Sequence, residues 1–243
     1  MSGPAHTITH VSDTARWTAL HRATETARPD ALFNDHLAER LAGEHGRAIA
    51  DNVRWTDRSG WWLVARTKLI DDAIADALAH GCDRVLNLAA GLDTRPYRLD
   101  LPPDLTWIEA DLPKLLAEKT QVLADQAPRC RLNRIAVDLA DPHARDAFFN
   151  EALDGATKAF VLTEGLSMYL EASDVAALSG ANLKGAFSEI PATFLLIRSR
   201  RPGKAKSIIH HATSGRVTAP ERAATSEASR YIDSPSVSTN DHL

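Results

Sequence analysis

Four short strand-like runs, each followed within a few residues by an acidic side chain, constrain the fold of this chain more than any other feature. The runs cover residues 84–89, 106–110, 132–137 and 159–163. Residues 66–80 carry an apolar stripe at helical spacing, and residues 113–127 carry another. Strands that alternate with helices predict parallel βαβ units, and hence an α/β fold with a doubly wound, mostly parallel sheet.

The segments that flank these runs differ from them in composition. Residues 15–50 show helical spacing of apolar side chains, with Pro29 and Asp30 suited to begin a helix. Residues 198–243 are basic and rich in Ser and Thr, a composition that has little apolar surface to bury. We therefore predict three parts: a helical cap over 1–65, a doubly wound domain over 66–197 with a fifth strand at 193–197, and a disordered tail over 198–243.

Composition excludes several classes of protein. A net charge of −4 over 243 residues argues against a general nucleic-acid binder, which needs a basic surface. The chain has no apolar stretch of about 20 residues and no leader pattern at its N-terminus. Cys82 and Cys130 are far apart and show no CxxC spacing. We expect a cytoplasmic protein with two free thiols, no bound metal, and neither a nucleic-acid nor a membrane partner.

The acids at the strand ends point to a ligand site. In doubly wound sheets, ligands bind beside the carboxyl ends of the strands, near the point where the strand order reverses. A glycine turn at Gly91 follows the first run. The acids that follow the four runs in turn are Asp93, Asp111, Asp138 and Glu164.

The spacing of two of these residues favours an adenosine-containing ligand. Asp111 lies about 20 residues after Gly91, the usual distance from a nucleotide-binding turn to the carboxylate that holds ribose hydroxyls. The turn has a single glycine rather than GxGxxG, and the chain has no P-loop, so a pyrophosphate is disfavoured. S-adenosyl-L-methionine fits, since it carries a nucleoside without phosphate and a cationic sulfur that suits an acidic rim.

Four further side chains are candidates for binding, and three of them have an ordinary structural role as the alternative. Arg66 could meet the methionine carboxylate, although periodicity alone favours a solvated arginine at a helix end. Asp138 could accept the adenine amino protons, and Leu139 could cover the ring or pack in the core. Glu164 could face the cofactor's ammonium group or be an ordinary rim acid.

Several stretches resemble a known family. They are residues 28–43, 65–67 with 71–72, 87–99, 107–113, 137–139 and 163–170. In their order they resemble the leucine carboxyl methyltransferase-like family of S-adenosyl-L-methionine-dependent methyltransferases, of the actinobacterial, polyketide O-methyltransferase-like type. The run from Gly91 to Arg98 is the most distinctive of them.

The resemblance implies a class I, Rossmann-like methyltransferase that methylates an oxygen of a small-molecule carboxylate or hydroxyl. It implies that Arg66 binds the cofactor carboxylate and that Gly91 lies against the methionine part. Asp111 would hold the ribose, Glu164 would lie near the methionine end, and Asp138 with Leu139 would hold the adenine.

Beyond about residue 179 the chain departs from the family's pattern. A truncation or an altered reading frame would explain the departure. We therefore expect the family's C-terminal antiparallel strand pair to be missing and the fifth strand to have an unpaired edge. A catalytically impaired cofactor-binding remnant is then an alternative function, and an NAD-dependent oxidoreductase is a second, disfavoured by the single glycine.

The sequence does not single out a catalytic residue. A hydroxyl acceptor would need a general base, whereas a carboxylate acceptor would not. Tyr169, His36 and His45 are possible bases, none of them favoured. Three tryptophans at residues 55, 61 and 62 could line an acceptor pocket, but packing of the N-terminal helices explains at least two of them better.

Overall fold

The computed structural model of this chain describes residues 11–52, 60–164, 166, 192–198 and 208–214. Its elements, in order, are α1 (Val11–Thr26), α2 (Ala38–Asn52), α3 (Trp61–Ala79), β1 (Arg84–Leu88), α4 (Arg95–Arg98), β2 (Thr106–Asp111), α5 (Pro113–Val122), β3 (Arg131–Ala136), α6 (Pro142–Leu153), β4 (Ala159–Glu164), β5 (Ala192–Arg198) and β6 (Ile208–Ser214). The five predicted strands are confirmed to within one residue at each end. A further predicted helix, from Ser173 to about Leu183, lies outside the described residues.

The six described strands form one sheet in the order β3-β2-β1-β4-β5-β6. β1 is parallel to β2 on one side and to β4 on the other, and β3 and β5 continue the parallel arrangement outward. The chain runs outward from β1 to β3 and then returns to β4, so the strand order reverses beside β1. This is the doubly wound, mostly parallel sheet that the sequence predicts.

The expected unpaired edge at the fifth strand is wrong. β6 runs antiparallel to β5, in register from Ala192 opposite Ser214 to Arg198 opposite Ile208. One antiparallel strand is therefore present where the sequence analysis expected none. The average composition of residues 198–243 conceals a seven-residue run that contains β-branched side chains, which favour a strand. Pairing also satisfies backbone groups that an open edge of β5 would expose.

The segment before α2 also departs from the prediction. The sequence predicts a helix from Pro29, whereas α2 begins at Ala38. Side chains of α1 satisfy backbone amides in between: the amide of Leu32 donates to Oε1 of Glu25 (2.8 Å), and that of Asp35 donates to a threonine hydroxyl at the end of α1 (2.8 Å). Such side-chain hydrogen bonds compete with helix formation and hold the segment as a loop.

Helix α6 is an element that the sequence analysis does not predict. Its N-cap is Asp141, whose carboxylate accepts hydrogen bonds from the amides of His143 (2.9 Å) and Ala144 (3.4 Å). Pro142 occupies the first turn, where a missing N–H costs nothing. This Asp-Pro pair is the sequence signal that marks the start of the helix.

Helix α3 passes through the first predicted domain boundary. It begins at Trp61 and continues without interruption through residues 65 and 66 to Ala79. Its buried side chains include Leu63 and Ile74. The division of the chain into three parts remains a prediction.

Apolar side chains cover both faces of the sheet. On one face, Leu86 of β1 packs in a cluster with Phe148 of α6. On the other, Val85 packs with Trp107 of β2 and Ile70 of α3. Burial on both faces explains why β1 and β4 are mostly apolar along their whole length, whereas β3 at the edge of the sheet is exposed or half-buried. None of the helices in the residues that the structure describes is long and apolar enough to cross a membrane.

Helices α1 and α2 lie against the carboxyl edge of the sheet. Ala19 of α1 and Leu41 of α2 share a buried cluster with Leu92, which follows β1. A Cβ atom placed on Gly91 would lie 3.6 Å from the Cβ of Ala15. α1 therefore passes directly over the turn that follows β1, and the chain covers the edge at which a ligand is expected.

Candidate functional site

The register of the parallel strands brings the predicted site residues to one rim of the sheet. Leu88, the last residue of β1, is opposite Ala110 of β2 and opposite the penultimate residue of β4. Asp111 and Glu164 each come one residue later and flank the turn after β1. Asp138 follows β3, one strand farther out. With strands about 4.8 Å apart, these ends span about 14 Å.

The turn after β1 contains two residues in the left-handed region. Gly91 has φ of 53°, and Ala89 has φ of 54°. Glycine adopts this conformation freely, whereas an alanine held there is strained by about 1–2 kcal/mol. The turn aims the amide of Gly91 at Oδ2 of Asp111, to which it donates a hydrogen bond of 2.7 Å. The predicted turn and the predicted ribose carboxylate are therefore in direct contact.

The Asp111 carboxylate retains capacity to bind a ligand. Its Oδ1 accepts a hydrogen bond of 2.7 Å from the amide of Leu112. A carboxylate offers about four lone-pair positions, so two remain for the hydroxyls of a diol. Two backbone amides thus fix the carboxylate without exhausting it.

Leu112 is a site candidate that the sequence analysis missed. Its side chain is 47% exposed, one of few large apolar side chains so exposed in the described part of the chain. It directly follows Asp111, so it offers an apolar surface beside the carboxylate that would hold a ribose. An apolar residue immediately after the acid at a strand end was the available signal.

The predicted adenine pair lies at the end of β3 in two different environments. Asp138 is exposed, and its Oδ1 accepts a hydrogen bond of 2.9 Å from the amide of Ala140. Leu139 is buried in the cluster that contains Phe148 and Phe149 of α6. The environment of Leu139 is that of core packing, the structural alternative raised from the sequence. Asp138 keeps acceptor capacity toward the rim.

Arg66 and Glu164, predicted at the methionine end, pair with one another. Nη2 of Arg66 lies 2.8 Å from Oε1 of Glu164, and the Arg66 guanidinium lies 4.8 Å from the centre of the Trp62 ring. Nε of Arg66 is buried and has no hydrogen-bond partner among the described residues. A buried N–H without an acceptor is costly, so it marks a position where a ligand oxygen would be favoured.

Arg95 is a central residue of the site to which the sequence analysis assigned no role. Its side chain is 3% exposed and contacts three carboxylates. Nε lies 2.7 Å from Oδ1 of Asp71, and Nη1 lies 2.6 Å from Oδ2 of Asp93 and 3.0 Å from Oε2 of Glu164. Burial alone would lower the pKa of Arg95, but the charges of Asp93, Glu164 and Asp71 outweigh it and raise the pKa well above its ordinary value.

The ion pairs continue from Arg95 toward the N-terminal helices. Arg98 contacts both oxygens of Asp71 at 2.7 and 2.8 Å. Asp35, which is 1% exposed, accepts hydrogen bonds from Arg22 (2.8 Å) and from the Thr94 hydroxyl (2.6 Å). Positive and negative side chains alternate along this network, and their numbers are equal. Its cations are Arg22, Arg66, Arg95 and Arg98, and its anions are Asp35, Asp71, Asp93 and Glu164.

Three of these carboxylates are held in the ionised form by their neighbours. Burial alone would raise the pKa of Asp93, but the charges of Arg95 and Lys119 outweigh burial and lower it. Burial alone would raise the pKa of Glu164, but Arg66 and Arg95 outweigh burial and lower it below its ordinary value. Burial likewise opposes ionisation of Asp35, and the charge of Arg22 with the Thr94 hydroxyl lowers its pKa. These carboxylates therefore stay ionised at neutral pH, each paired with at least one arginine.

Glu109 is an acid near the rim with a structural environment. It is fully buried, and its carboxylate contacts Nζ of Lys119 at 2.7 Å and Nε of Arg134 at 2.9 Å. Lys119 is also fully buried. Both oxygens of Glu109 are engaged by these two cations, so the cluster ties α5 to β2 and β3.

Among the described residues, no contact distinguishes one of the possible general bases from the others. His36 is exposed, and Nε2 of His45 lies 3.0 Å from Oδ1 of Asp13. Of the tryptophans, Trp61 is 62% exposed and Trp62 lies against Arg66. Tyr169 and Trp55 lie outside the described residues.

The sequence pattern of the leucine carboxyl methyltransferase family matches residues 15–181 of the chain. This stretch includes most of α1, the strands β1–β4 and every predicted site residue. The chain belongs to the leucine carboxyl methyltransferase family. The resemblance noted in the sequence is therefore confirmed.

Individual relatives agree with this family. A protein of Parafrankia named "Putative S-adenosyl-L-methionine-dependent methyltransferase" is 34% identical over 174 residues, which cover 68% of this chain and 56% of the relative. A relative of the same description from Rhodococcus jostii is 36% identical over 173 residues, covering 67% and 58%. The chain thus spans somewhat more than half the length of these curated relatives. Among solved structures, an O-methyltransferase family protein from Burkholderia thailandensis matches with 15% identity and a TM-score of 0.39, covering 79% of this chain and 53% of that one.

In this member of the family, the predicted site residues fall into two groups along the rim. Asp111 and Gly91 are in direct contact, and Arg66 and Glu164 form an ion pair. Asp138 lies one strand beyond Asp111. Within the described residues, no cluster of three or more His, Cys, Asp or Glu side chains is arranged to hold a metal ion.

Proposed function

We propose that this chain is an S-adenosyl-L-methionine-dependent methyltransferase that methylates an oxygen of a small-molecule carboxylate or hydroxyl. The order of groups along the rim carries the proposal. From β3 to β4 it runs from the Asp138 carboxylate to Asp111, then to the Gly91 turn and to the Arg66–Glu164 pair. A ligand made of a base, a ribose and an amino acid presents matching groups in the same order.

The chemistry of these residues fits that cofactor part by part. Asp111 has two acceptor positions for the ribose diol, and Leu112 offers an apolar surface beside it. Asp138 can accept the amino protons of adenine. Arg66 has a buried Nε without an acceptor among the described residues, which suits a carboxylate. Glu164 supplies a negative charge for the ammonium group.

When bound, S-adenosyl-L-methionine supplies a methyl group on a cationic sulfur that an oxygen nucleophile can displace. The protein's contribution is to hold donor and acceptor in line, an alignment worth about 7–11 kcal/mol of barrier. α1, which lies over the Gly91 turn, helps to exclude water from this edge. A carboxylate acceptor needs no proton removed, so the absence of a favoured base among the described residues is compatible with it.

The family supports methylation at a carboxyl oxygen. It is named for leucine carboxyl methyltransferase, and the relatives are named for the same cofactor without an acceptor. The single glycine of the turn disfavours the pyrophosphate of NAD, the cofactor of the oxidoreductase alternative. We also propose that the protein acts in the cytoplasm on a small molecule, without nucleic-acid or membrane partners.

Calorimetry on the full chain tests the cofactor. We expect S-adenosyl-L-methionine and S-adenosylhomocysteine to bind, and NAD to give no heat of binding. Binding of NAD in preference to both sulfur compounds would overturn the proposal.

Methyl transfer is tested separately. The chain is incubated with S-adenosyl-L-methionine labelled in the methyl group and a metabolite extract. We expect a labelled small molecule whose label is released by mild alkali if it is an ester and retained if it is an ether. Cofactor binding without transfer to any component would favour a binding remnant over an active enzyme.

A further inference from the structure

Arg95 links Glu164 to a rigid part of the molecule. Asp93, one of its partners, is fixed three times: Oδ1 accepts from the amide of Arg95 at 2.8 Å, and Oδ2 accepts from Nδ2 of Asn87 at 2.8 Å and from Nη1 of Arg95 at 2.6 Å. Asn87 lies in β1 and is 1% exposed. The position of the Arg95 guanidinium is therefore set by the central strand.

Glu164 divides its two oxygens between two arginines. Oε2 faces Arg95 at 3.0 Å, and Oε1 faces Arg66 at 2.8 Å. The two arginines differ: Arg95 contacts three carboxylates through Nε and Nη1, whereas Arg66 has a buried Nε without an acceptor among the described residues. The contact with Arg66 is therefore the one that can be exchanged, and the contact with Arg95 is the one that stays.

We propose that Arg95 is a positioning residue, which holds Glu164 in place so that the α-amino and α-carboxylate groups of the cofactor can replace the contact between Arg66 and Glu164. The inference rests on the proposed function. The ammonium group then pairs with Oε1 of Glu164, and the carboxylate pairs with Arg66. Oε2 stays on Arg95 throughout.

The charges support this exchange. Arg66 and Glu164 together are neutral, and so are the two charged groups of an α-amino acid. When the Arg66–Glu164 ion pair is replaced by one ion pair from each residue to the ligand, every charge still has a partner of opposite sign, as a buried site requires. Without Arg95, Glu164 would be free to follow Arg66 and the site would lose its fixed negative end.

The test compares two ligands that differ in the amino-acid part. S-adenosyl-L-methionine carries it, whereas 5′-methylthioadenosine keeps the nucleoside but lacks both charged groups of the amino acid and has a neutral sulfur. S-adenosylhomocysteine, which has the amino-acid part and a neutral sulfur, is measured beside them to separate the two differences and should respond as S-adenosyl-L-methionine does. We expect Arg95→Lys to weaken binding of S-adenosyl-L-methionine by about 10–100-fold, the effect of one lost charge-assisted hydrogen bond. Binding of 5′-methylthioadenosine should change by less than about threefold.

Arg98→Lys is the matched control. Arg98 shares Asp71 with Arg95 and is equally buried, but its carboxylate contacts are with Asp71 and Asp35 and not with Glu164. We expect this variant to leave the ratio of the two affinities unchanged, even if the protein becomes less stable. A fall of both affinities by the same factor in Arg95→Lys would overturn the proposal, since it would indicate a merely structural role.

A second variant keeps the test decisive if Arg95→Lys does not fold. Asp93→Asn retains Arg95 but weakens its anchor, so it should lower the affinity for S-adenosyl-L-methionine selectively and by a smaller factor. Equal loss for both ligands in this variant would again overturn the positioning role. Failure of the unaltered chain to bind S-adenosyl-L-methionine at all would instead reject the proposed function, and the inference with it.

Discussion

The amide of Gly91 donates a hydrogen bond of 2.7 Å to Oδ2 of Asp111, across the boundary between β1 and β2. This contact links the left-handed turn to the carboxylate at the end of the neighbouring strand. Oδ1 is held by the amide of Leu112. The carboxylate is therefore oriented before any ligand arrives, which lowers the ordering cost of binding.

Asp111→Ala should weaken binding of S-adenosyl-L-methionine by about 10–100-fold, because it removes the charged acceptor of the ribose hydroxyls. Binding of 5′-methylthioadenosine should fall by a similar factor, since that ligand has the same ribose. Calorimetry with both compounds measures the effect. Asp104→Asn is the control, since Asp104 is an exposed acid before β2, at the opposite end of that strand. Undiminished affinity in Asp111→Ala would contradict the ribose assignment.

Substitution of the two left-handed residues of the turn should change the free energy of unfolding in opposite directions. Gly91→Ala should lower the free energy of unfolding by about 1–2 kcal/mol, because φ of 53° is strained for any side chain. Ala89→Gly relieves the same strain, at φ of 54°, and should raise the free energy of unfolding by up to about 1 kcal/mol. Urea unfolding of both variants beside the unaltered chain gives the two values. Equal destabilisation by both substitutions would show that packing rather than backbone conformation decides.

The strands and the rim acids could be predicted because they depend on local pattern. A buried parallel strand is a continuous apolar run, and the residue after it lies at the rim whatever the rest of the chain does. Asp111, Asp138 and Glu164 follow directly from this rule. The left-handed turn was marked by Gly91 itself.

The ion network could not be predicted, because its contacts join residues from separate elements. Arg95 meets Asp71 of α3 and Glu164 of β4 only after the sheet has formed. The loop before α2 was mistaken for a helix for the same reason: Asp35 is drawn into this network by Arg22 and Thr94, which no local pattern reveals.

Stability should fall in acid through the network carboxylates. The pKa of Asp35 and that of Glu164 lie below their ordinary values of 3.8 and 4.5, so the unfolded chain binds more protons than the folded one as they titrate. Their contribution is complete above about pH 5 and is lost as the pH falls through 4 and below. Asp35→Asn should be less stable at pH 7 by about 3–5 kcal/mol, because Arg22 loses its buried partner.

Guanidinium unfolding between pH 3 and pH 7 measures both effects. In Asp35→Asn the loss of stability between pH 5 and pH 3 should be smaller than in the unaltered chain, since one titrating group is gone. If the free energy of unfolding falls with pH equally in the two proteins, Asp35 does not contribute to the acid transition.

The buried pair of Glu109 and Lys119 should show strong coupling. Lys119→Met leaves the Glu109 carboxylate fully buried with Arg134 as its remaining ionic partner, and should cost about 3–5 kcal/mol of stability. Glu109→Leu should cost about as much, because it leaves a buried ammonium group unpaired. The double substitution removes both charges and should cost clearly less than the sum of the two, a difference that a double-mutant cycle from urea unfolding measures.

An exposed ion pair provides the comparison for this cycle. Nη1 of Arg47 lies 2.7 Å from Oε1 of Glu39, as close as the buried pair, but their side chains are 52% and 68% exposed. Removing either partner should cost less than about 1 kcal/mol, since water replaces the lost contact. Because the distances are equal, a larger coupling in the buried cycle is not explained by a closer contact and is expected from burial. Additive costs in the Glu109 and Lys119 cycle would mean that Arg134 alone compensates the Glu109 carboxylate.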